Sequence, residues 1–117
     1  MVGNVMLKRD ILRRKEDFDL IYKKGRSVGE RYIVLFYMKN GLSYNRIAFL
    51  ASKKVGNSVK RNRARRLMKE NYRFLGENIR EGYDLIFIAR NTINGKKAGD
   101  VGKSMNRAVS KAGLFKG

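Results

Sequence analysis

Cysteine and histidine are both absent from the 117 residues. Without cysteine there is no disulfide, no thiolate metal site and no thiol nucleophile. Without histidine the commonest general base and metal ligand is missing. Proline is absent too, which leaves glycine and asparagine as the punctuation of the chain. Acids are scarce, with 10 Asp and Glu against 28 Lys and Arg, for a formal net charge of +18. No apolar run approaches the ~20 residues that span a bilayer. The first residues hold only short apolar stretches interrupted by Lys8, Arg9 and Asp10, unlike a secretion signal. The expectation is a soluble cytoplasmic protein, with no membrane and no obligate protein partner evident.

Hydrophobic residues make up 43% of the chain, enough for one core, and the length suits a single domain over residues 1–117. The excess of positive charge gives nothing to folding, because like charges repel in the compact state. It points instead to a polyanionic partner. Nucleic acid is the first choice, and an anionic membrane surface is the competitor.

Residues 1–13 read as an extended basic lead. Glu16 and Asp17 open a short helix that runs to Lys24, acids at the positive end of its dipole and Lys23 and Lys24 at the other, with Gly25 as its stop. Tyr32 to Met38 is the best strand signal, rich in β-branched and aromatic residues. Lys39-Asn40-Gly41 then turns the chain, and Arg46 to Ser52 is a second strand. The short connection predicts an antiparallel hairpin between the two, and Arg26 to Val28 adds a short strand before them. A long helix follows from Ser58, its expected N-cap with Asn57 as the alternative, to about Leu75 or Asn78. Tyr83 to Ala89 is a further strand, apolar except for Asp84 and so expected to be buried. After a polar loop over Asn91 to Gly99, a last helix spans Asp100 to Ala112, with Val101, Met105, Ala108 and Val109 as its packing stripe. The order predicts an α+β fold, helices packed on a mostly antiparallel four-stranded sheet.

The densest signal is Lys53 to Arg73, which holds Lys53, Lys54, Lys60, Arg61, Arg63, Arg65, Arg66, Lys69 and Arg73 against one acid, Glu70. On a helical wheel Ala64, Leu67, Met68 and Leu75 fall on one side, with Tyr72 and Phe74 at its edges. Asn62, Arg65, Arg66, Lys69 and Arg73 fall on the other, with Arg61 and Arg63 at the borders. A salt-bridged surface helix would need acids three or four residues away, and Glu70 alone does not supply them. The arginine-rich stripe suits bidentate contacts to phosphate, and the free backbone N–H groups at the start of the helix suit one as well. Asn62 is a poor helix former, which fits either a partner-specific hydrogen bond or plain placement on a wet surface.

The stretch Ala51-Ser52-Lys53-Lys54-Val55-Gly56-Asn57-Ser58-Val59-Lys60-Arg61-Asn62-Arg63-Ala64-Arg65-Arg66 resembles the signature of the bacterial ribonuclease P protein family. Arg61, Asn62 and Arg63 match its Arg-Asn-Arg motif, and Arg65, Arg66 and Lys69 match the basic positions after it. Leu12 to Phe18, Tyr22 to Gly25, and Tyr83 to Arg90 resemble further family patterns in the same order. The resemblance implies an α-β sandwich with a left-handed β-α-β crossover through the basic helix, which periodicity could not have produced. It implies that this helix, with Lys53, Lys54, Lys60 and Arg73, faces the catalytic ribonuclease P RNA. It also implies that Phe18, Tyr22 and Phe36 line a cleft for the single-stranded 5′ leader of precursor tRNA. Bases stack on aromatic side chains whatever their sequence, although plain core packing is the alternative for each ring taken alone.

Hydrolysis of a phosphodiester by protein groups needs a positioned base or clustered carboxylates. Of the acids here only Glu16, Asp17 and Asp19 cluster, and the helix N-terminus accounts for them. The resemblance therefore implies an accessory subunit of an endoribonuclease with no catalytic side chain and no metal site of its own. Cleavage would fall to the RNA, with Mg²⁺ held mainly by the RNA–protein holoenzyme. The alternatives are a general RNA-binding or ribosome-associated protein without a processing role, and a stand-alone nuclease built on Asp17 and Asp19.

Overall fold

The computed structural model describes residues 6–117, so the first five residues of the expected basic lead lie outside the described residues. The rest of that lead is less extended than expected. Lys8–Asp10 form a 3-10 turn, and Leu12 N–H then donates to the Ile47 carbonyl at 2.9 Å. Three helices follow, α1 (Lys15–Lys24), α2 (Ser58–Leu75) and α3 (Ala98–Lys111), with strands β1 (Arg26–Gly29), β2 (Ile33–Lys39), β3 (Arg46–Ala51) and β4 (Tyr83–Ala89). The expected loop at Asn91 holds a 3-10 turn, Asn91–Ile93, whose Ile93 is buried.

The strands form one sheet in the order β1-β2-β4-β3. β1–β2 and β2–β4 are antiparallel, while β3–β4 is parallel. The four-stranded, mostly antiparallel α+β sheet is as expected, but the β2–β3 hairpin is not. β4 lies between the two strands and pairs with both. The cause is the apolar content of β4: Leu85, Ile86 and Phe87 are fully buried, so the strand is covered on both faces and hydrogen-bonded on both edges. The connection over residues 40–45 spans the width of that intervening strand, and α2 makes the crossover from β3 to its parallel neighbour β4.

Alternation along the strands builds two cores. On one face Ile33, Leu35, Ile47, Leu85, Phe87 and Ala89 pack against Ala64, Met68, Tyr72 and Leu75 of α2 and Val101, Met105, Ala108 and Val109 of α3. On the other face a smaller cluster joins Ala48 and Ile86 to Leu12 and to Ile21 of α1. Gly25 follows α1 with a close approach and not a left-handed turn: a Cβ there would lie 2.5 Å from the Ile21 carbonyl oxygen and 2.8 Å from that of Tyr37.

At one end of the sheet the only acid of β4, Asp84, is buried. It accepts from Arg46 Nε at 2.8 Å, from Arg46 Nη2 at 2.7 Å and from Asn40 Nδ2 at 2.9 Å. Arg46 Nη1 also reaches Asp17 of α1 at 3.3 Å. The Asp84 carboxylate, hydrogen-bonded to Arg46, pushes that guanidinium pKa up further. This network ties α1, the β2–β3 connection and the central strand together.

Candidate nucleic-acid interface

The polarity of α2 is that of the helical wheel. Ala64, Met68, Tyr72 and Leu75 are buried, while Asn62, Arg66, Lys69 and Arg73 are exposed and Arg61, Arg63 and Arg65 are partly so. Tyr72, placed at the edge by the wheel, is in the core against Phe49 and Phe87, and burial pushes its phenol pKa well up. Phe74 is 61% exposed. The N-cap is Asn57 and not Ser58: its Oδ1 accepts from the Lys60 N–H at 3.1 Å. Ser58 is the first helical residue, and its hydroxyl oxygen accepts from Arg61 Nη2 at 3.2 Å.

The expected cations differ in how far the fold occupies them. Among the described residues Lys53, Lys54, Lys60, Arg61, Arg65, Arg66 and Lys69 have no acidic partner. Arg65 donates to the side-chain oxygen of Asn62, which gives Asn62 a local role in aiming that guanidinium. Arg73 lies 3.7 Å from Glu70. Arg63 is partly structural, because its Nη2 donates to the Lys96 carbonyl at 2.6 Å and fastens α2 to the approach to α3.

The three expected aromatic residues share one patch on the opposite face of the sheet. Tyr22 meets Phe36 edge-on with ring centroids 5.1 Å apart, and Phe18 lies 6.4 Å from Tyr22. Tyr22 is 42% exposed, and partial burial raises its phenol pKa. Because α1 crosses near the Arg46–Asp84 end, the opposite end of this face is only partly covered. The register there sets Val34, Ile88 and Leu50 side by side on β2, β4 and β3, each partly buried. They form an apolar shelf beside the aromatic rings. Sequence reasoning did not single them out, and pairing Val34 with Ile88 required knowing that β4 is the neighbour of β2.

Around the outer edge of β3 the two surfaces meet. A groove of about 520 Å³ is lined by Met6, Ile11, Leu12, Phe18, Ala48 and Leu50 on its apolar side and by Arg65, Arg66 and Lys69 on its cationic side. Such a site can stack unpaired bases while lysine and arginine hold the adjoining backbone. The acids are engaged elsewhere: Asp17 with Arg46, Glu16 with Arg14 at 3.1 Å. Among the described residues no three carboxylates converge as metal ligands, and no helix is long and apolar enough to cross a membrane.

Comparison with known proteins establishes the family. The ribonuclease P protein component of Clostridium botulinum strain Langeland is 42% identical over 110 residues, which cover 93% of this chain and 99% of that one. The protein of the same name from Alkaliphilus oremlandii is 47% identical over 81 residues, 69% of this chain and 71% of that one. The solved structure of the Staphylococcus aureus RNase P protein superposes with a TM-score of 0.83 at 30% identity, covering 92% of this chain and 98% of that one. That of Thermotoga maritima gives 0.80 at 27% identity, covering 93% and 100%. The family model described as ribonuclease P matches residues 6–113, and with a match of that extent the chain belongs to the ribonuclease P protein family.

Proposed function

We propose that this chain works as the protein subunit of a bacterial ribonuclease P, docking on the catalytic RNA through α2 and holding the 5′ leader of precursor tRNA beside α1. Lys53, Lys54, Lys60, Arg61, Asn62, Arg63, Arg65, Arg66, Lys69 and Arg73 take the catalytic RNA, with Arg63 and Arg73 the most occupied by the fold itself. Phe18, Tyr22 and Phe36 take leader bases over the shelf of Val34, Leu50 and Ile88. The single observation that carries this reading is the groove where Phe18 and Leu50 face Arg65, Arg66 and Lys69. The leader leaving the tRNA stacks on one wall there while the catalytic RNA is held by the cations of the other, so the groove brings the two RNAs side by side.

Chemistry belongs to the RNA in this scheme. In this reading Mg²⁺ is held mainly by the RNA–protein holoenzyme. The protein lowers the repulsion between closely packed phosphates, and that favours both RNA compaction and retention of the leader.

The test is reconstitution. Mixed with a bacterial ribonuclease P RNA at low magnesium, the protein should stimulate cleavage of precursor tRNA, and the complex should hold leader-bearing tRNA more tightly than mature tRNA. Equal affinity for both without stimulation would reduce the role to general RNA binding. Cleavage by the protein alone, lost in Asp17→Ala or Asp19→Ala, would make it a nuclease in its own right.

A further inference from the structure

Phe74 is the most exposed aromatic side chain of the basic helix, at 61%, and neither the stripe nor the aromatic cleft uses it. It lies about 100° around α2 from Arg73, on the side that faces α3. There it borders a second groove, of about 580 Å³, between the two helices. Phe115 and Leu75 contribute apolar surface, and the α3 wall carries Lys103 and Arg107, four residues apart and both exposed. No acid lines this groove, and neither cation has an acidic partner among the described residues.

The walls are held in place. Asn71 Nδ2 donates to the Leu67 carbonyl within α2 and to the Ala98 carbonyl at the start of α3, both at 3.0 Å. Its amide sits directly over Gly102, where a Cβ would lie 2.4 Å from Asn71 Oδ1. Glycine at that point lets the helices approach with the amide between them. The exposed ring and the paired cations are therefore set by packing and not by a mobile loop.

We infer that the α2–α3 groove is a second RNA-docking surface, at which one unpaired base of the ribonuclease P RNA stacks on Phe74 while Lys103 and Arg107 hold the flanking phosphates. An apolar partner would leave both cations without counter-charge, and an acidic strand without rings would leave Phe74 in water. An unpaired nucleotide satisfies both. The inference rests on the reading that α2 faces the catalytic RNA, since the groove adjoins that stripe and lies on the other side of the sheet from the leader cleft.

The test is binding of the full chain to a clostridial ribonuclease P RNA over a range of salt, with size-exclusion chromatography and light scattering on the same proteins. Phe74→Ala should weaken binding about tenfold, and Phe74→Tyr should restore it, because the ring and not its edge chemistry is used. Lys103→Ala with Arg107→Ala should flatten the log–log salt slope by about 1.5 units. If these variants bind as the parent does while Arg65→Ala and Arg66→Ala flatten the slope, the groove is no RNA site and the role of the stripe stands. If all are silent, both readings fall. A Phe74→Ala change that alters only the protein's self-association assigns the ring to a second copy of the chain and overturns the inference.

Discussion

Removing one guanidinium from the α2 stripe should change the salt dependence of RNA binding more legibly than its affinity at any single salt. Each cation that neutralises a phosphate releases a counterion, and each contributes about −0.9 to the slope of log K against log salt on duplex RNA or DNA. The seven cations Lys53, Lys54, Lys60, Arg61, Arg65, Arg66 and Lys69 have no acidic partner among the described residues. With each on a phosphate the expected slope is about −6, equivalent to a loss of nearly four decades in affinity for a fourfold rise in salt. Arg65→Ala and Arg66→Ala should each flatten it by close to one unit. Arg73→Ala should flatten it less, because Glu70 already lies 3.7 Å from that guanidinium. Arg63→Ala should cost stability as well, through loss of the bond to the Lys96 carbonyl. The measurement is filter binding to ribonuclease P RNA from 50 to 400 mM salt, with a thermal melt of each variant beside it. An unchanged slope in Arg65→Ala and Arg66→Ala would show that these side chains do not touch phosphate and would remove the central support for the docking face.

Three further outcomes are expected. Phe18→Ala should weaken the holoenzyme's grip on leader-bearing precursor tRNA roughly 5- to 150-fold, the range of one stacked base, and leave mature tRNA unchanged; equal losses on both would make Phe18 a packing residue. Asp84→Ala strands Arg46 beside a buried cavity and should cost about 3 kcal/mol, the low end for a broken buried pair because Asp17 remains as a partner, lowering the thermal midpoint by roughly 10 °C; a fall of under about 3 °C would show that the network is dispensable. Sulfate should raise the midpoint of the free protein by screening and occupying the unpaired cations, since whatever binds only the folded state stabilises it, and an unmoved midpoint rejects that coupling between charge and folding.

How far the fold could be read in advance depended on how local its causes are. α1 was legible because Glu16, Asp17, Lys23 and Lys24 sit at the ends its dipole favours, and α3 because its apolar stripe repeats at helical spacing. The N-cap shifted by one residue, from Ser58 to Asn57, since both side chains can cap and only the backbone decides which one stands outside the helix. The hairpin failed for a different reason. Lys39-Asn40-Gly41 does turn the chain, but Asn40 uses its backbone N–H on Gly82 and its amide on Asp84, both belonging to the β4 end of the molecule. The turn thus leads around β4 and not back along β2. A partner 44 residues away in sequence leaves no local periodicity to read.

The site divides along the same line. The cationic stripe and the three aromatic residues are visible one element at a time, because each follows the period of its own helix or strand. Their relation to one another is not, for it depends on β4 entering between β2 and β3. With β2 and β3 adjacent, Val34 and Leu50 would lie on neighbouring strands and Ile88 would be elsewhere. With β4 between them the shelf is three strands wide and β3 becomes the edge. Only at an edge can side chains from both layers, Phe18 from α1 and Arg65, Arg66 and Lys69 from α2, reach one groove. A central β3 would have kept the base-stacking and phosphate-holding surfaces apart on opposite faces of the sheet. The non-local strand order is therefore the step that brings two separate surface features together along one edge of the sheet, where the proposed leader site and the proposed catalytic-RNA face adjoin.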